Sequence, residues 1–319
     1  MNMPATKQDN NKPATEFANL GDGSVFVKKT ANGVLKSVKG SMLLREELGQ
    51  LAEVPPKSGK VMITANGFNE LNKIAGLSII TPKTLTLPNG DIVVNPFPVI
   101  DPVSKTIEKV WVKKMAVGYS PIGNMVITSS TLLYDITTYF LQDLAKKVQY
   151  NKDAGKITMG ALLTEEERQK GTFHPIQGDL GIWVDYTHKE ILKALDTFIQ
   201  NKLFAERKAQ TICERNVMKK HPALSTVNVP AQGPEGKRAA KVTVIGFCHD
   251  FTEKELLDLA EKAEANGESL ELDDGRKVDF IDIDGNVTEE DINTCQEDDE
   301  SLGADIDDTS PLTEGRPMF

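Results

Sequence analysis

Four lysines and two aromatic residues crowd one part of the chain: Lys113, Lys114, Lys146 and Lys147, with Trp111 and Tyr119 beside them. Phosphates attract cations and unstacked bases settle on flat π-faces, so these residue types suit a single-stranded nucleic acid. A second basic set follows at Arg207, Lys208, Arg215 and Lys219. Lys208, Arg215 and Lys219 are spaced by seven and four, which puts them on one face of a helix, where they could track a phosphate backbone. Both sets also have plainer readings. The first fits a solvated sheet edge. Part of the second fits cations placed favourably at a helix C-terminus, which accounts for Lys219 and Lys220 better than for Lys208.

Enzyme chemistry finds less support. The P-loop pattern is missing, because Ser58-Gly59-Lys60 runs into Val61 and lacks the upstream glycine. Gly21-Asp-Gly23 is too short for a dinucleotide loop. Asp282-Ile-Asp284-Gly285 places Phe280 at the first position of a calcium loop and Asp291 at the twelfth, so a turn flank fits it better. His174, His188, His221 and His249 form no ligand-spaced pair, and Cys248-His249 would point to opposite strand faces. No catalytic residue, metal or cofactor is assigned.

The elements that would hold these residues read as follows. Val110, Val112 and Met115 to Val117 are β-rich, and so is Met125 to Ser130, so two strands joined by Ser120-Pro-Ile-Gly-Asn124 lead into a helix from Leu132 to Val148. Its stripe is Leu133, Ile136, Phe140 and Leu144. Upstream, Ala31-Asn32-Gly33 marks a hairpin, 41–51 a short helix burying Leu43, Leu44, Leu48 and Leu51, and Pro88-Asn89-Gly90 a second hairpin. Asn66 would cap a helix carrying Phe68, Leu71 and Ile74, ended by Gly76. Residues 149–181 read as a polar connection with a short helix opened by the capping box Thr164 and Glu167. Then 187–220 forms one helix about 50 Å long, stopped by Pro222.

At 319 residues, 39% of them apolar and 26% charged, the chain can bury a sizeable core. The fold class expected is α+β: an antiparallel sheet with long packed helices, a small α+β unit near the C-terminus and a disordered acidic tail. Its division is a disordered 1–22, a core over 23–224, a linker over 225–240, the small unit over 241–286 and the tail over 287–319. Up to His249 the chain has 32 Lys and Arg against 23 Asp and Glu, a net +9; beyond it, five against 24 give −19. A basic body suits an anionic polymer, and an acidic tail competes for that surface, recruits a basic partner or simply solubilises. Cys213, Cys248 and Cys295 are odd in number and widely spaced, which argues against a disulfide framework and for a reducing cytoplasm. An apolar signal core is missing from residues 1–15 and no run reaches the length of a membrane span, so no membrane partner is expected.

From Lys60 to Leu224 the order is strand, Gly-Phe-led helix, hairpin, two long strands, helix, and a basic helix ending at proline. The quoted motifs are Val61-Met-Ile-Thr-Ala-Asn-Gly67-Phe68-Asn-Glu-Leu71, Ala205-Glu-Arg207-Lys208-Ala209-Gln-Thr211 and Met218-Lys219-Lys220-His221-Pro222. In these the chain resembles the phage RecT and Redβ group of single-strand annealing proteins over about half its length, although Arg215 stands alone where that group has paired arginines. The resemblance implies an annealing-protein-like core that binds and pairs complementary single-stranded DNA without ATP, as a homo-oligomer in a ring or filament. The tail is similar to the acidic, aromatic-tipped ends of bacterial single-stranded DNA-binding proteins. Asp305, Asp307 and Asp308, with Pro317 and Phe319, would then anchor an exonuclease or replication protein. A replicative coating protein for single strands is the alternative, built on a small closed barrel. A structural or assembly protein without a nucleic-acid partner stands behind it.

Overall fold

A computed structural model describes residues 15–19, 24–30, 33–54, 58–226, 228–247, 251–267, 269–271 and 277–283, with side chains from residue 37 onward except at 253 and 266. The strands and helices of the first half are β1 (Thr15–Asn19), β2 (Ser24–Thr30), β3 (Gly33–Arg45), β4 (Leu51–Glu53), β5 (Val61–Ile63), α1 (Ala65–Ala75), β6 (Ser78–Ile80), β7 (Thr84–Thr86), β8 (Ile92–Val94) and β9 (Phe97–Ile100). They are followed by the long pair β10 (Ile107–Tyr119) and β11 (Met125–Asp135), then α2 (Ile136–Tyr150), β12 (Gly155–Met159), α3 (Glu165–Lys170), β13 (Thr172–Gln177) and β14 (Leu180–Val184). The last part holds α4 (Lys189–Leu203), α5 (Ala205–Lys220), β15 (Asn228–Val229), β16 (Ala239–Phe247), α6 (Glu253–Asn266), β17 (Leu270–Glu271) and β18 (Lys277–Ile283). The class is α+β. No described helix is long and apolar enough to cross a membrane.

The β10–β11 hairpin is the centre, antiparallel from Lys109↔Asp135 to Tyr119↔Met125. Its turn closes where Ser120 N–H donates to Asn124 O and Asn124 N–H to Ser120 Oγ. The sheet runs β17-β18-β11-β10-β6, with β9 also on β10. Both of its faces are covered. Even-numbered residues of β10 and β11, Val110, Val112, Leu132 and Tyr134, pack on Ala205, Ala209, Ile212 and Cys213 of α5. Odd-numbered ones, Met115, Val117, Tyr119 and Ile127, pack on Leu256, Leu259, Ala260 and Ala263 of α6. This alternation follows from the two-residue repeat of a strand.

Several boundaries differ from those read in the sequence. The expected helix from Leu132 begins four residues later, at Ile136, where Asp135 accepts from Thr138 N–H as the cap. Residues 131–135 stay in the strand because they pair with 109–113, which leaves Leu133 on β11 rather than in the helical stripe. Thr64, not Asn66, caps α1, accepting from Gly67 N–H. The 41–51 helix is absent: β3 runs to Arg45 and only Glu46–Leu48 form a 3-10 turn, which leaves Leu43 and Leu48 more than half exposed. The single 50 Å helix is two, broken at Phe204 (φ −110, ψ 19), so that α4 packs on α2 through Ile191 and Ala194 while α5 turns onto the central sheet. Within 149–181, beyond the capped α3, an antiparallel sheet β12-β14-β13 takes the place of a plain connection.

The ends of the described chain fold back onto its middle. Thr15–Asn19, inside the stretch expected to be disordered, pair antiparallel with β2. Of the 225–240 linker, Asn228 and Val229 pair with β5, and Gln232 bridges Ala239. Within 241–286, β16 pairs with β3 over nine residues, from Ala239↔Arg45 to Phe247↔Ser37, and β18 runs parallel to β11. The strands of that unit are therefore hydrogen-bonded into the sheets of the body. Residues 287–319 lie outside the described residues.

Candidate nucleic-acid interface

The helix α5 carries the basic motif and stands between two recesses. On one side an open groove of about 560 Å³ runs between α5 and the start of β10. Its walls are Ile107, Leu203, Phe204, Glu206, Arg207, Gln210 and Thr211, and the ion pair Lys114–Glu214 lies along it. Arg207 is exposed, and Phe204 is 46% exposed where the break between α4 and α5 turns its ring outward. A guanidinium, an amide and an aromatic ring therefore line one open channel. On the other side a smaller aromatic recess between α2, α4 and α5 is lined by Tyr139, Phe140, Phe198, Asp143, Asn201 and Lys208. The Phe140 and Phe198 rings stack there at 4.3 Å, and burial pushes the Asp143 carboxyl above the usual carboxylate range.

Adjacent in sequence, Arg207 and Lys208 thus serve different recesses. Arg207 faces solvent, as the basic-helix reading requires. Lys208 is buried, its Nζ donating to Asn201 Oδ1 at 2.6 Å.

Most of the other expected phosphate contacts are inside the protein. Lys113 donates to the Glu264 carboxylate of α6, and Lys114 to Glu214 of α5 at 2.9 Å, so the neighbouring lysines hold helices on opposite faces of β10. Arg215, 1% exposed, donates through Nε and Nη2 to Ile63 O at 3.4 Å, and Lys219 is buried too. These are corrections with a common cause. Lys208 turns onto Asn201 of α4 and Arg215 onto Ile63 of β5, and a cation enclosed in this way must find an acceptor within the protein. Lys113, Lys208, Arg215 and Lys219 are thus buried, and Lys114 meets the groove through its ion pair with Glu214.

Lys147 is half-buried and pairs with Glu190 at 3.3 Å, and Lys146 beside it is half-exposed. Trp111 is half-buried, opposite Leu133 on one side and Phe97 on the other. Tyr119 is 4% exposed, its ring 5.6 Å from that of Phe247, so it is a core residue and not a stacking platform. The tail residues Asp305, Asp307, Asp308, Pro317 and Phe319 lie outside the described residues.

Sequence reasoning missed the outward turn of Phe204 and the carboxylates of Glu214 and Glu264. A weak signal existed for the first, since Leu203-Phe204 lies out of phase with the buried positions on either side. Pairings across 100 and 151 residues, those of Lys114 and Lys113, leave no local trace.

Two ionisable groups, one on α5 and one at its C-terminal end, are buried and disfavour their charged forms. Burial pushes the Cys213 thiol up to about 12, and its Sγ lies 3.3 Å from Ser130 O. His221, fully buried, donates from Nε2 to Val126 O while Nδ1 accepts from Ala223 N–H, and burial brings its pKa down to about 4. Neither lines either of the two recesses beside α5. Among the described residues, no group of three His, Cys, Asp or Glu is arranged to hold a metal. Comparison with known proteins found no family model, no curated protein and no solved structure that matches this chain.

Proposed function

We propose that the chain binds single-stranded DNA and anneals complementary strands without nucleotide. The observation that carries this reading is the open groove along α5, where Arg207, Gln210 and Phe204 offer a cation, a hydrogen-bonding amide and a π-face. A strand needs those three chemistries side by side. The order of elements from β5 through α1, the β10–β11 pair and α2 to the basic α5 agrees with the annealing-protein likeness and adds support. Assembly of several copies belongs to the same reading. On α4, Leu192, Ile199 and Leu203 are 51%, 55% and 71% exposed at spacings of seven and four, an apolar stripe that favours contact between copies.

The test is annealing of two complementary labelled oligonucleotides by the full chain, without ATP or metal and at low and high salt. Acceleration of pairing is expected, weakening as salt rises. A protein that binds strands but keeps them apart would be the replicative coating protein instead. One that does neither has no nucleic-acid role.

A further inference from the structure

In the β3–β16 pair one face is covered and the other is open from Lys39 to Arg45, while Ile245 and Phe247 at the far end of that same face pack with α6. Met42, Leu44, Val242 and Val244 turn inward onto Phe68 and Leu71 of α1. On the opposite face Lys39, Ser41, Leu43 and Arg45 of β3 stand beside Lys241 and Thr243 of β16, all exposed. The Ser41 and Thr243 hydroxyls meet at 2.9 Å, which fixes these residues on the same side.

Along the four strands the basic residues are Lys28, Lys29, Lys36, Lys39, Arg45 and Lys241, and Glu16 is the one acid. Among the described residues neither Lys39 nor Lys241 takes part in an ion pair. Arg45 meets Glu47 at 3.2 Å with both side chains about half exposed, an exchangeable surface pair. The register Lys241↔Leu43 and Ile245↔Lys39 sets the spacing. With strand rise and strand separation, the Lys241 backbone lies about 8 Å from that of Arg45 and about 14 Å from that of Lys39. Three cations therefore lie in a row, hydroxyl groups among them, with Leu43 51% exposed between.

We propose that this open face carries the phosphate backbone of single-stranded DNA. Lys39, Lys241 and Arg45 neutralise phosphates, Ser41 and Thr243 offer hydroxyl donors, and Leu43 packs against a sugar or base. The assignment rests on the single-strand reading above and adds to it a second track, apart from the α5 groove. Charge complementarity selects the occupant, because the face is elongated and positive.

The experiment uses the full chain and labelled oligo-dT, with affinity followed by anisotropy across a salt series. In the triple variant Lys39→Ala, Lys241→Ala, Arg45→Ala, binding should weaken by roughly ten-fold or more at low salt. The slope of log affinity against log salt should fall by about 2, at roughly 0.7 per lost contact. Ser41→Glu, which sets a carboxylate between the cations, should weaken binding while the circular dichroism spectrum is unchanged. Removing two charges elsewhere, as Lys83→Ala with Lys152→Ala, should leave the slope as it was. An unchanged slope in the triple variant overturns the assignment while the function reading stands on the unaltered chain. Tighter binding by that variant also overturns it, because the face would then hold the acidic 284–319 segment. A parent chain that binds no strand at all overturns both.

Discussion

His221 has an ordinary pKa near 6.5 when the chain is unfolded and about 4 when it is folded. Between those values the unfolded chain takes up a proton that the folded chain refuses, so stability is intact above pH 6.5 and falls as the pH drops towards 4. The loss is on the order of 3 kcal/mol. Urea unfolding midpoints measured from pH 7 to pH 4 should fall, and less so in His221→Gln, whose amide can still donate to Val126 O. The buried cations follow related physics with another outcome. Glu214 faces Lys114 and Glu264 faces Lys113, and both carboxylates stay partly in water, with side-chain exposures of 30% and 41%. At the residue scale the sequence told which side chains were cations. It did not tell which way their faces turned, since a helical stripe of Lys208, Arg215 and Lys219 has the same spacing whether it borders solvent or α1.

Gly67 shows how an element is fixed by what it approaches. A Cβ there would lie 2.2 Å from Gln50 O and 2.6 Å from Ile63 Cγ2, so α1 meets the neighbouring backbone at the glycine of its motif. Helix propensity alone would favour Gly67→Ala by about 1 kcal/mol. The clash with a backbone oxygen should win, lowering stability by about 2 kcal/mol, which a urea midpoint would register. Hairpins were the most legible elements. Asn32-Gly33 and Asn89-Gly90 demand turn conformations that few other pairs adopt, and β2–β3 and β7–β8 formed where those residues stand. Apolar runs were less legible. Leu43, Leu44 and Leu48 suit a helix by composition, yet long pairing with β16 keeps 41–45 extended, and a partner 202 residues away is invisible to a local pattern. The α4–α5 break was hidden for a similar reason, because helical periodicity continues through Phe204 while the two surfaces it must cover point in different directions.

For the whole molecule, the exposed stripe on α4 separates one chain from several. Ile199→Asp with Leu203→Asp should reduce the mass measured by light scattering at micromolar protein, with secondary structure retained, if the stripe joins copies. An unchanged mass would place any self-association elsewhere. The groove by α5 and the open face of β3 and β16 are legible in the sequence only as charge. What turns charge into a surface is the set of pairings that buries one group of lysines and leaves Lys39, Arg207 and Lys241 outside.

Those pairings also set the order in which the protein can be completed as it leaves the ribosome. The β10–β11 hairpin closes over a few residues and can form early. The edge of β3 has to wait until Phe247 has been made, and that of β11 until β18 arrives at 277–283. For most of synthesis, then, two hydrogen-bonding edges are open to neighbouring chains on the same message. Such late closures between distant segments slow folding. A protein built in this way depends on its final third to keep nascent copies from pairing with one another before each has finished itself.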